Sequence, residues 1–292
     1  MLTCAIALAL LFLPSNNSAP IEHSLRASYE KQVRAIRNYY SDSHLRYDAT
    51  GALIGTGHPG PWTLQYVLID SLKLNADQVE IYGRRVAVRL APDFHHSTYV
   101  VGRENVRIDI ALPRTTDETV IRSAIEKVFY PLNYVSIENL PDYWDDLLKD
   151  NVLPPSNPAD LGRYSFRTGC PSALHMDAPP KTDPSGIQSM VCGGVAIYRV
   201  KKGVVNAPQA LRTNDPKYTE EARRSRYEAT VVLWMMLDST GKPQLIRIVR
   251  AVGMGLDDAA VEAVRGWRFK PAQLNGQPVA VEINVEVNFR LQ

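Results

Sequence analysis

Few residue groupings in this chain have the types and spacing to do chemistry. His95-His96 suggests a metal pair, but adjacent residues of an extended segment point to opposite sides and no acidic cluster is assured nearby, so a solvent loop is the better reading. Tyr143-Trp144-Asp145-Asp146 could line a ligand groove, yet it fits the start of a surface helix better. Cys170 and Cys192 have only His175 near them and no Cys-x-x-Cys pair, so zinc is not indicated. Ser/His/Asp catalysis has no elbow motif and phosphate binding has no glycine-rich cradle. These residues predict no enzyme, no metal and no cofactor. What remains is backbone chemistry at the chain's end. There Val281, Ile283, Val285, Val287, Phe289 and Leu291 alternate with Glu282, Asn284, Glu286, Asn288 and Arg290. Period-two alternation predicts a strand with one buried and one wet face. At a sheet edge, its unpaired N–H and C=O groups would accept a second strand.

The 292 residues are 45% hydrophobic and 22% charged, as in a soluble globular protein, and leave room for two domains. A net charge of +2, with basic residues scattered among acidic ones, excludes a phosphate-tracking surface, so no nucleic-acid partner is expected. Ala5 to Leu13 is a short apolar run followed by Pro14 and small polar residues. As a helix it would span about half of a ~30 Å hydrocarbon core, which fits a signal peptide over residues 1–20 better than a membrane span. No Lys or Arg precedes the run, and Pro20 follows the small residue Ala19, which fits a cut there poorly. Cys4 lies in this segment, which leaves Cys170 and Cys192 as an even pair. They form a disulfide, closing a loop of about 23 residues and contributing about 3 kcal/mol, or they remain two buried thiols.

The elements that must position the last strand fall into three stretches. Residues 21–140 open with a helix-compatible segment, Ser24 to Glu30. They continue as strands at Trp62 to Leu74, Gln78 to Tyr82, Arg85 to Leu90 and Val106 to Leu112, with turns at Tyr47–Gly51 and Gly83. Asp117-Glu118 then opens an amphipathic helix with Val120, Ile121, Ala124 and Val128 on one face. This predicts an antiparallel meander with packed helices. Residues 141–203, punctuated by prolines, read as a linker region with a short strand at Gly194 to Val200. Residues 204–292 read as α-β-β-α-β. Thr219 caps a helix over Glu220 to Arg226, and strands follow at Thr230–Leu237 and Gln244–Arg250. A second helix runs from Asp257 to about Gly266, and the final strand follows an Asn275-Gly276 turn. Trp267 and Phe269 read as core residues, and Arg223, Arg224 and Arg226 as a solvated face. The fold class is α+β.

The ordered features of this last stretch resemble the C-terminal domain of the TonB family of periplasmic energy transducers. They are Asp215-Pro216-Lys217-Tyr218-Thr219-Glu220-Glu221-Ala222-Arg223, Ala229-Thr230-Val231-Val232, Asp238 with Gly241, and Gly255-Leu256-Asp257-Asp258-Ala259-Ala260. After them come Ala263-Val264-Arg265-Gly266-Trp267-Arg268-Phe269-Lys270-Pro271-Ala272, Asn275-Gly276-Gln277-Pro278-Val279 and Val285 to Arg290. Thr219 and Ala229 depart from the family's usual proline and glycine, without conflict with a helix start or a strand.

The resemblance implies strand addition. Val281, Glu282, Ile283, Asn284, Val285, Glu286, Val287, Asn288, Phe289 and Arg290 would bind an extended segment of an outer-membrane transporter or another envelope protein, with a homodimer as an alternative occupant. It implies a non-catalytic, exported periplasmic protein linked to energy transduction, whose membrane contact is peripheral unless the N-terminal segment stays uncleaved and tethers it. The competing reading is a carrier, whose N-terminal meander encloses an apolar ligand or lipid and whose C-terminal domain docks it.

Overall fold

The computed structural model describes residues 18–91, 97–113, 117–130, 140–144, 147–148, 176–182, 187–192 and 194–291. The apolar run Ala5–Leu13, His95-His96, Asp145-Asp146, Cys170 and His175 lie outside them, as does the Cys192 side chain. Among the described residues no helix is long and apolar enough to cross a membrane. The mixed α+β class is as the sequence predicts.

The first part is a five-stranded sheet. Its strands are β1 (Val33–Ala35), β2 (His44–Tyr47), β3 (Tyr66–Leu74), β4 (Gln78–Arg89) and β5 (Thr98–Ala111), in the order β1-β3-β4-β5-β2. β3, β4 and β5 form the expected antiparallel meander, while β2 runs parallel to β5. Alternation places Val67, Ile69, Val79, Ile81, Ile108 and Ile110 on one face, all fully buried. Helices α1 (Ser18–Tyr29) and α2 (Glu118–Val128) close that face with Leu25, Ile121, Ile125 and Val128. Asp117 caps α2 by accepting from the Thr119 N–H. Buried side chains of both helices and of the sheet meet on that face in one apolar cluster.

Two local expectations are corrected. Gly83 does not turn the chain; β4 runs straight through it from Gln78 to Arg89. A Cβ there would sit 2.4 Å from the Leu68 carbonyl oxygen, so close strand approach explains the glycine. Trp62–Leu64 is a 3-10 turn, and β3 begins only at Tyr66. In addition, α1 includes Ser18, Ala19 and Pro20, the last residues of the expected leader segment.

The second sheet has the order β11-β10-β14-β8-β7-β6, with β13 paired to the start of β14. Its strands are β6 (Met176–Thr182), β7 (Gln188–Cys192), β8 (Val195–Arg199), β10 (Ala229–Leu237), β11 (Pro243–Arg250), β13 (Ala272–Leu274) and β14 (Gln277–Phe289). β9 (Gln209–Arg212) pairs separately with β12 (Arg268–Lys270). Helix α3 (Glu220–Arg224) has Thr219 as its cap, accepting from the Ala222 N–H, and α4 (Leu256–Arg265) packs on β10 and β11. Between the sheets lies one continuous core. It joins Trp62, Ala87, Val88, Leu90 and Trp144 of the first part to Val231, Leu233, Met254, Leu256, Val264 and Val287 of the second.

Candidate functional site

β14 is held on one side along most of its length. It pairs antiparallel with β10 in unbroken register from Val281↔Leu237 to Phe289↔Ala229. The Asn275-Gly276 turn, with φ of 52° and 82°, folds β13 back onto Gln277–Val279. β8 then pairs parallel with Ala280, Val281 and Glu282. Beyond Glu282 no strand among the described residues pairs with this side of β14. The open edge is therefore Ile283–Phe289.

Backbone direction along that edge follows from β10. At one end the Asp238 N–H donates to the Lys242 carbonyl at 3.0 Å, toward the β11 side. At the other the Thr230 carbonyl accepts from the Arg250 side chain, whose residue belongs to β11. Even-numbered backbone groups of β10 thus face β11, and odd-numbered groups face β14. In the observed register, the odd residues of β14 return those bonds. Asn284, Glu286 and Asn288 then turn their N–H and C=O groups to the open side.

Side chains at the edge divide by face. Val287 and Phe289 are buried against the core, while Ile283 and Val285 are half-buried at its margin. Asn284, Glu286 and Asn288 are exposed on the opposite face, where Asn288 accepts from the Thr230 hydroxyl at 2.7 Å. Phe289 is fixed by an edge-on contact with Tyr218, whose hydroxyl donates to the Tyr227 carbonyl.

Three of the ten expected contact residues do not share this geometry, and one of them, Arg290, lies past the end of β14. Val281 is fully buried, and both it and Glu282 are paired on both sides by the chain's own strands. Glu282 is not an outward, wet residue. Its carboxylate accepts from Arg199 Nε and from Trp234 Nε1 at 3.0 Å, and Arg247 lies 4.1 Å from the Trp234 ring. These four side chains form a polar and aromatic cluster on the outer face, next to Ile197 and Met236. The sequence signal for β8 was a short strand in a region read as a linker. Its parallel docking on β14 links positions 83 residues apart, from Arg199 to Glu282, and local periodicity carries no trace of such a contact.

The other residues singled out fall into structural places. Tyr143 donates to Asp258 at 2.8 Å and Trp144 is fully buried edge-on against Trp62, so neither lines a groove. Trp267 is half-buried, donating to the Asn214 carbonyl, and Phe269 is buried. Arg223, Arg224 and Arg226 are exposed, the first two within reach of Glu220.

Asp257, at the start of α4, is fully buried. Its carboxylate accepts the N–H groups of Val252 and Gly253 at 2.8 and 2.7 Å, and burial pushes its pKa up to about 8 against those donors. Burial likewise raises the neighbouring Asp258. In the sequence, Leu256-Asp257-Asp258 reads as a helix start within the stretch that resembles the family, with no sign of burial. Nothing local announces that the 252–255 loop is bonded to the first sheet.

Residues 214–291 match the model of the Gram-negative bacterial TonB protein C-terminal family. The Protein TonB of Vibrio cholerae serotype O1 is 35% identical over 78 residues, covering 26% of this chain and 32% of that protein. The Protein TonB of Xanthomonas campestris pv. campestris is 34% identical over 79 residues, 27% of this chain and 35% of that protein. The chain thus spans about a third of the length of these relatives. The solution NMR structure of the Pseudomonas aeruginosa TonB CTD aligns with 32% of this chain and 95% of its own, at 18% identity and a TM-score of 0.24. The family match and the ordered identities cover the stretch that builds α3, β10, β11, α4 and β14. Residues 214–291 are a TonB C-terminal domain.

Proposed function

We propose that this protein is a non-enzymatic, TonB-like energy-transducing component of outer-membrane transport. In this reading the open edge of β14 binds an extended segment of an outer-membrane transporter by strand addition. One observation carries it: β14 is bonded to β10 on one side and, among the described residues, has no strand paired from Ile283 to Phe289 on the other. Asn284, Glu286 and Asn288 supply the backbone groups, and the half-buried Ile283 and Val285 receive the guest's inward side chains. Roughly four to six hydrogen bonds at about 1 kcal/mol net each, set against the cost of association, put the affinity near micromolar or weaker. A periplasmic location and a Cys170–Cys192 disulfide belong to the same reading, the first supported by the apolar run Ala5–Leu13.

The edge also makes the test specific. Glu286→Pro removes an N–H that faces the open side, so the β10 ladder survives; Val285→Pro removes one that β10 needs. In an NMR titration with a synthetic peptide of a transporter's extended periplasmic segment, shifts should concentrate on 283–289. Glu286→Pro should weaken binding at least tenfold, roughly the loss of one to two backbone hydrogen bonds, without lowering Tm by more than a few degrees. Undiminished binding by Glu286→Pro would contradict strand addition at this edge. Sedimentation of the free protein distinguishes the other occupant, since a homodimer sealed edge to edge would persist at micromolar concentration and dissociate in Glu286→Pro.

A further inference from the structure

The outer side of β3 is closed in two different ways along its length. β1 pairs with Tyr66, Val67 and Leu68, and the Gln32 carbonyl and Lys31 N–H then meet the Ile69 N–H and C=O at 3.0 and 2.7 Å. Past Ile69 no strand among the described residues lies on this side. An irregularity between Ile69 and Ser71 shifts the outward positions to even numbers, and the side chains of α1 take over there. The Leu72 N–H donates to Glu30 Oε1 at 3.0 Å, and the Leu72 carbonyl accepts from Arg26 Nε at 2.8 Å. The Leu74 N–H donates to Glu22 Oε2 at 2.9 Å.

Glu22, Arg26 and Glu30 are spaced by four residues, so they stand in one row along the helix. Glu30 directly follows α1, and its N–H still bonds to the Arg26 carbonyl. Acceptor, donor, acceptor along the row match N–H, C=O, N–H read from Leu74 back to Leu72. Arg26 ties the row together through ion pairs with Glu22 at 2.8 Å and Glu30 at 3.6 Å. The row does with side chains what a further strand would do with its backbone, and so satisfies an edge that would otherwise accept one.

We propose that β3 is a second strand-accepting edge, latched shut by Glu22, Arg26 and Glu30, and that its partner when unlatched is a second copy of this chain. Leu72 turns both its N–H and its C=O outward, as does a residue that exchanges two bonds with its opposite in an antiparallel pair. Two copies related by a two-fold axis through this lane would pair Leu72 with Leu72, an isologous contact. Ser71 and Lys73, both exposed, would then face each other between the copies, twice. The inference does not depend on what binds β14.

Sedimentation of the full chain tests this, in a Glu286→Pro background that keeps the β14 edge from contributing. The background protein should be monomeric at about 50 µM, and adding Glu22→Ala with Glu30→Ala should raise the association constant at least tenfold. Glu22→Gln with Glu30→Gln, which keep an acceptor oxygen, should stay monomeric. Adding Ser71→Glu to the alanine variant should tighten the dimer about threefold or more, and Ser71→Lys should loosen it as much, because each sets two charges opposite Lys73 of the other copy. Should the alanine variant fail to fold, Glu30→Ala alone decides. Its Leu72 amide should exchange at least tenfold faster beside unchanged Ser71 and Lys73 amides, which face β4. A monomeric alanine variant, a dimer indifferent to the sign of the charge at residue 71, or an unaltered Leu72 amide in Glu30→Ala overturns the proposal.

Discussion

At the scale of single residues, the structure separates carboxylates that look alike in the sequence. Glu282 and Glu286 occupy equivalent positions in the alternating strand, yet one is buried between Arg199 and Trp234 and the other is exposed at the open edge. Glu282→Ala should lower stability by about 1–3 kcal/mol, because it leaves the buried Trp234 indole N–H without its acceptor and removes a charge-assisted bond from the half-buried Arg199. Chemical denaturation should show this loss, with a cost near zero for Glu286→Ala. Asp257 supplies a pH signature. Its folded pKa, pushed up to about 8 by burial, lies above its ordinary value, so the native state binds the proton more tightly than the unfolded chain. The stability this contributes is fully present below about pH 4 and is lost as pH rises through about 8. Asp258 is shifted in the same direction and adds to the slope. Asp257→Asn should flatten the fall in Tm between about pH 5 and 8, at the expense of one backbone acceptor. An unchanged slope would mean that Asp257 is ionised in the folded protein across that range.

At the scale of elements, what could be read from the sequence tracks how local each cause is. α2 with its Asp117 cap, α3 with Thr219, the Asn275-Gly276 turn and the alternation of β14 follow from neighbours in the chain, and each is found within a few residues of its expected place. Gly83 misled because a glycine in a turn and a glycine under a close strand look the same locally; only the Leu68 carbonyl 2.4 Å from its missing Cβ distinguishes them. The candidate site was legible as a strand but not in its extent. The parallel partner β8 trims it from Val281 to Ile283 at one end. Which backbone groups face outward depends on the β10 register, which no window of sequence contains.

At the scale of the whole molecule, the two parts are bonded as well as packed. The Leu90 N–H donates to the Val252 carbonyl at 2.9 Å, and the Met254 N–H to the Val88 carbonyl at 2.7 Å. Thr63 accepts the Gly255 N–H, and the Arg89 guanidinium lies over the Tyr227 ring while donating to the Ser225 carbonyl. Gly253 sits at the crossing with φ of +81° and a missing Cβ 2.1 Å from the Val88 oxygen, so no side chain fits there. A shared core and a shared ladder predict one cooperative transition, with tryptophan fluorescence and far-UV circular dichroism melting together. Two separated transitions would show that the first part and the TonB C-terminal domain fold independently. Gly253→Ala should cut stability by roughly 2 kcal/mol or more without touching the β14 edge, because a positive φ and a backbone clash coincide. For a protein proposed to transmit force, this junction ties the pulled strand to the rest of the chain.

Amide hydrogen exchange along β14 in the unliganded protein tests the central claim most directly. Ile283, Val285 and Val287 should exchange slowly behind their β10 bonds, while Asn284, Glu286 and Asn288 exchange orders of magnitude faster into open solvent. Uniform protection of all six amides would show that the edge is already sealed, and would contradict a site for an incoming strand.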